Sequence, residues 1–141
     1  MIAKDSDNLS NSSLSAWRPG QGWLGVIPGK TSIKDAINGL GGTCETAEMA
    51  NGFSFDFRDG LIRVTAIEQQ ATISKLWISG RLASAGIIPG SLKSAQNVFS
   101  NLLRVGRDPF NADIYESEGV RLAAASGSDD GDLVWIEFLP V

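Results

Sequence analysis

Three short runs of this sequence occur twice, in the same order. Gly25-Val26-Ile27-Pro28-Gly29 returns 61 residues later as Gly86-Ile87-Ile88-Pro89-Gly90. Ile62-Arg63-Val64 and Leu76-Trp77-Ile78 return 58 residues later as Val120-Arg121-Leu122 and Val134-Trp135-Ile136. Recurrence in one order predicts two copies of a supersecondary unit. The 141 residues then divide into a lead-in, 1–22, and two copies, 23–80 and 81–141. Each copy reads as a helix followed by three strands. The expected fold class is α+β, with two tandem helix-plus-antiparallel-sheet repeats.

The lead-in is rich in Ser, Asn, Asp and Gly, too polar to bury a core, and reads as disordered. Trp17 and Trp23 are exceptions, since an indole buries enough area to dock a tail on a folded body. In copy one, Pro28-Gly29 is a turn, Thr31 or Ser32 caps a helix, and Asp35 complements its dipole. Ile33, Ala36, Ile37 and Leu40 form the apolar stripe, and Gly39, Gly41 and Gly42 end it. Phe53 to Phe57 alternates as a half-buried strand does. Asp59-Gly60 is a hairpin turn, Leu61 to Glu68 returns, and Ile73 to Ser79 is the third strand. In copy two, Gly86 to Gly90 is the turn and Asn97 to Val105 the helix, with Val98, Phe99, Leu102 and Leu103 as its stripe. Asp113–Ser117, Val120–Ala125 and Leu133–Leu139 are strands, with a turn over Ser126–Asp132.

Hairpin geometry sorts the faces. A turn at Asp59-Gly60 sets Phe57 against Ile62, Asp56 against Arg63 and Phe55 against Val64. Phe53, Phe55, Phe57, Ile62 and Val64 then share the core face, and Asp56 and Arg63 pair on the other. Copy two sends Tyr115, Val120 and Leu122 inward and sets Glu116 opposite Arg121 outside. Leu76, Ile78, Val134, Ile136 and Phe138 are assigned to the core, which turns Trp77 and Trp135 outward beside Lys75 and Glu137. Three readings of the two indoles stand: a partner-binding face, a seam between the copies, or ordinary core residues.

Several chemistries are excluded. The chain has no His and one Cys, so Ser-His-Asp and Cys-His catalysis, His-containing and all-Cys metal sites, and an internal disulfide are impossible within it. Cys44 reads as a small filler. A net charge of -4 gives no general attraction to nucleic acid. No run reaches the length of a membrane span, and residues 1–15 lack a signal-peptide h-region. The compartment stays open: cytoplasmic, or the cell envelope after a processing step. Gly25 to Thr31 imitates a phosphate-binding loop, but it has three residues between its glycines rather than four, and Pro28 lacks an N–H. Ser128-Asp129-Asp130-Gly131-Asp132 lacks the ordered ligands of a calcium loop and reads as a turn. No cofactor or metal is implied.

The run from Gly25 to Gly41, with its Gly-Lys-Thr, apolar helix and Leu40-Gly41 close, resembles the opening of BamE/SmpA-like domains. The tandem arrangement resembles the β-lactamase inhibitor protein family, which carries two such copies. That resemblance implies a helical opening before an antiparallel sheet and a binding or scaffolding role without catalysis. It also implies a sheet face and an Asp-bearing hairpin as the contact surface, which places Asp59 in the site. Copy two departs from the motif at Ser91-Leu92.

The functional expectation is a non-enzymatic module that holds another protein through its outer sheet face. The site residues are Trp77, Trp135, Arg63 and Arg121, with Trp23 and Asp59 as accessories. Two alternatives stand: a structural module that pairs a sheet face or edge with a second copy of itself, and a small hydrolase using carboxylates alone.

Overall fold

The computed structural model describes residues 17–67, 71–126 and 131–141. A helix, α1 (Ile33–Gly39), precedes four strands: β1 (Glu45–Met49), β2 (Gly52–Phe57), β3 (Ile62–Ile67) and β4 (Lys75–Ser79). A short 3-10 helix (Gly80–Ala85) leads to α2 (Leu92–Val98). Four more strands follow: β5 (Leu103–Arg107), β6 (Ala112–Ser117), β7 (Val120–Ala125) and β8 (Leu133–Phe138). The eight strands among the described residues form one sheet in the order β1-β2-β3-β4-β8-β7-β6-β5, antiparallel throughout.

This corrects the expected fold class. The molecule is not two helix-plus-sheet repeats but one sheet-dominated body with short helices laid on it. The reason lies in β4 and β8, which pair from Leu76↔Phe138 to Ser79↔Trp135 and close the gap between the halves. The inward side chains of both halves then meet in one cluster. Phe57, Ile62, Val64, Leu76 and Ile78 pack with Val120, Leu122, Leu133, Ile136 and Phe138 under Ala36 of α1 and Leu92, Ala95 and Val98 of α2. The hairpin registers agree with expectation: Asp56↔Arg63 and Phe57↔Ile62 in the first half of the sheet, Glu116↔Arg121 in the second.

Two strands were illegible in the sequence. β1 and β5 are the sheet edges and almost wholly exposed, so no buried face imposes alternation on them. The second helix also lies earlier than Asn97–Val105. Ser91 Oγ accepts from the Ser94 N–H at 3.2 Å, so α2 starts at Leu92 and ends at Val98. The supposed stripe residue Leu103 opens β5 instead. The first helix starts as its cap requires, with Ser32 Oγ accepting from the Asp35 N–H at 3.0 Å.

The Leu-Trp-Ile and Val-Trp-Ile matches are out of step with the sheet. Arg63 lies opposite Trp77, but Arg121 lies opposite Glu137. Trp135 sits two residues along β8, between Ser79 and Ala123. The extra residue at Val134, where the β7–β8 register shifts, leaves that side chain 45% exposed rather than in the core. Phe53 is likewise 37% exposed, because it pairs with Glu48 of the uncovered edge strand.

An aromatic pillar joins the amino-terminal segment to the core. Trp17 meets Phe99 edge to face, with centroids 4.9 Å apart at 83°, and Trp23 stacks on Phe138 at 5.3 Å and 11°. Both indole N–H groups donate to carbonyls: Trp17 to Gly22 at 2.9 Å and Trp23 to Ile87 at 2.7 Å. Residues 17–22 are therefore part of the folded body, while the rest of the expected lead-in lies outside the described residues. Gly80 has a backbone role: a Cβ there would stand 1.9 Å from the Leu133 carbonyl oxygen, where the chain leaving β4 crosses the start of β8.

Candidate functional site

Both α-helices and the aromatic pillar contribute to the core on one side of the sheet. On the other side, the register builds a transverse row from edge to edge: Glu45, Asp56, Arg63, Trp77, Glu137, Arg121, Glu116 and Leu103. This follows from period-two alternation on eight aligned strands, since one residue per strand must share a line. Beside it runs a second row, Ser79, Trp135, Ala123 and Ile114.

Every charge of the first row except Glu45 is paired on the spot. Arg63 is bidentate on Asp56, through Nε at 2.6 Å and Nη2 at 3.2 Å. Arg121 Nε lies 3.0 Å from Glu116 Oε2, and Lys75 Nζ lies 3.6 Å from Glu137 Oε2. The hydrogen bond that Arg63 donates to Asp56, helped by the carboxylate's charge, raises the Arg63 pKa against the opposing effect of partial burial, so the guanidinium stays cationic. Pairing fixes the heads of long side chains and leaves half their area open: the Arg63 and Arg121 side chains are 49% and 44% exposed. A face of this kind offers planar guanidinium and indole surfaces with little ordering entropy left to lose.

Trp77 and Trp135 lie on this face, on the neighbouring central strands β4 and β8, as diagonal neighbours across the pairing Trp77↔Glu137 and Ser79↔Trp135. Both are half-buried. They stand at the seam between the two halves, on the face away from the two described α-helices. Trp135 packs on a small cluster of its own, Ala112, Ile114 and Ala123, separate from the main core.

The other two expected site residues sit elsewhere. Trp23 belongs to the aromatic pillar on the helix side and lines a cavity of about 300 Å³ with Ile87, Ile88, Pro89 and Val98. Asp59 is exposed at the β2–β3 turn, where Arg58, Asp59 and Gly60 all have positive φ. The Asp59-Gly60 turn forms as expected, with the Leu61 N–H on the Arg58 carbonyl at 3.1 Å. The left-handed Arg58 was not foreseen.

One part of the outer face went unnoticed in the sequence. Gly52 lies between Met49 and Ile67 in the register and leaves a gap there. With Thr65, Lys75 and Pro140 these residues line a groove of about 420 Å³. Met49 and Ile67 are 50% and 46% exposed. The signal was the alternation of Arg63, Thr65 and Ile67, which puts Ile67 outside; Met49 belongs to an edge strand that carried no signal.

The phosphate-loop imitation is resolved by its hydrogen bonds. The Gly29 N–H donates to the Ile73 carbonyl, and those of Lys30 and Thr31 donate to the Ile27 carbonyl. These groups hold the turn together and are not available to an anion. The Ser128–Asp132 turn falls largely outside the described residues. Among the described residues no helix is long and apolar enough to cross a membrane.

No protein-family model and no curated protein matches this sequence. Among solved structures, a cysteine-rich secretory protein from Staphylococcus aureus superposes with a TM-score of 0.50 at 11% identity. The match covers 92% of this chain and 48% of that one, so this chain spans about half its length. A DUF4309 family protein from Bacillus subtilis matches with a TM-score of 0.46 at 18% identity, over 99% of this chain and 97% of the other. The first likeness is one of fold alone.

Proposed function

We propose that this protein is a non-enzymatic binding module that docks another protein on the outer face of its sheet. The observation that carries this reading is the composition of the two neighbouring rows on the outer face. Two indoles and two half-exposed arginines, residue types enriched in the energetic centres of protein interfaces, stand together on the side away from the two described α-helices. The carboxylates Asp56, Glu116 and Glu137 are each held by a cation, which suits recognition better than proton transfer. The resemblance of the Gly25–Gly41 run to BamE/SmpA-like domains supports the same role. Asp59, at the end of the sheet, extends the contact surface in this reading; Trp23 supports the fold from the other side.

The test starts with capture of the partner on immobilised protein, its identification by mass spectrometry, and calorimetry with the purified partner. Trp77→Ala and Arg121→Glu should each weaken binding at least about tenfold while the far-ultraviolet spectrum stays unchanged. Binding that survives both substitutions at wild-type affinity moves the interface off this face and ends the proposal.

A further inference from the structure

We infer that the two edges of the sheet are complementary to each other, so that β1 of one copy pairs with β5 of a second and the chain associates head to tail. This goes beyond docking on the face, because it uses the edges and needs no other protein. Eight strands that are antiparallel throughout give edges running in opposite directions. A second copy set alongside by translation therefore meets β1 with an antiparallel β5 and keeps each face on its own side. Both strands are open: every β1 residue is exposed, and so is every β5 residue except Gly106.

Charge selects the pairing. β1 carries Glu45 and Glu48, which have no ionic partner among the described residues. β5 carries Arg104 and Arg107, which share one carboxylate, Asp113, at 3.1 and 3.3 Å, leaving an excess of positive charge. Pairing β1 with β1 opposes carboxylates and pairing β5 with β5 opposes guanidiniums, both unfavourable across a ladder. Only the unlike edges attract. Setting Met49 opposite Leu103 on the outer face, where they are 50% and 68% exposed, puts Glu48 opposite Arg104 on the helix side. The irregularity between Arg104 and Gly106 limits the ladder and guards the edge against indiscriminate partners. Such a contact is heterologous and does not close, so it builds short chains of copies rather than a symmetric dimer.

The test is sedimentation velocity on the whole chain. Two five-residue edges make a small interface, so the wild type should associate at concentrations on the order of hundreds of micromolar. About 0.5 M NaCl should weaken this several-fold. Glu48→Arg blocks one edge and Leu103→Glu the other. Each variant alone should stay monomeric, and an equimolar mixture should form dimers and nothing longer, since each supplies the edge the other lacks. Should Leu103→Glu lower the melting temperature, Val105→Glu replaces it. In the wild type, amide exchange in β1 and β5 should slow as concentration rises. A wild type that stays monomeric, a blocked variant that associates like the wild type, or a mixture that stays monomeric overturns the inference.

Discussion

Phe99 is the side chain on which the account of the core depends most. It closes α2, with its N–H on the Ala95 carbonyl at 2.8 Å, and its ring is 1% exposed. Trp17 meets it edge to face at 4.9 Å, and Trp23 and Phe138 are each tilted against it at 5.9 Å. Phe99→Ala removes the ring from the centre of three others that cannot all move in. Burial lost plus the cavity left costs about 3–5 kcal/mol for such a change. Edge-to-face geometry, worth about 0.5–1.5 kcal/mol per pair, argues for the upper half of that range. At about 3–5 °C per kcal/mol for a chain of this size, the melting temperature should fall by roughly 15 °C. Urea unfolding followed by tryptophan fluorescence measures the loss directly, and the dependence on urea should keep its slope. Near-ultraviolet dichroism should also collapse, because two of the four indoles lose their fixed neighbour. A loss below about 1.5 kcal/mol would mean that Trp17 and Trp23 do not bear on Phe99, and the amino-terminal segment would not belong to the folded body.

Three further outcomes follow from the same geometry. Gly80→Ala should cost at least about 3 kcal/mol, because its Cβ would collide with the Leu133 carbonyl and push β4 from β8; a melting temperature near wild type would refute that close approach. Trp135→Ala, which uncovers Ala123 and Ile114, should cost about 1–2 kcal/mol by urea titration, less than Phe99→Ala because the indole is only half-buried. Arg63→Ala breaks a bidentate but half-exposed pair and should cost no more than about 1 kcal/mol, shrinking further in high salt; a loss of several kcal/mol would show that the outer face is covered.

The sequence was most legible where one face of a strand is buried. The Asp59-Gly60 turn fixed the β2–β3 register and the Asp56–Arg63 pair, and it set Phe57, Ile62 and Val64 on one side, as a buried face requires. The same reasoning found Glu116 opposite Arg121. It failed where burial is absent: β1 and β5 bury no stripe, so Leu103 was read as part of a helix. It also failed where a single extra residue shifts the frame. Trp135 stands two places from the position that its match with Trp77 suggested, one more than the bulge at Val134 supplies, which only the pairing of β7 with β8 shows. The joining of the halves was hidden for a related reason. Leu76, Ile78, Ile136 and Phe138 look alike whether they line two small cores or one, and the β4–β8 hydrogen bonds decide between them.

Four indoles report directly on whether the sheet has one covered and one open face. In a proton–nitrogen spectrum with a soluble paramagnetic agent added, the indole N–H signals of Trp17 and Trp23, hydrogen-bonded on the helix side, should keep their intensity. Those of Trp77 and Trp135 should broaden, because the described helices lie on the opposite face. Four equally protected indoles, or broadening at Trp23 with protection at Trp77, would contradict the assignment of the two faces.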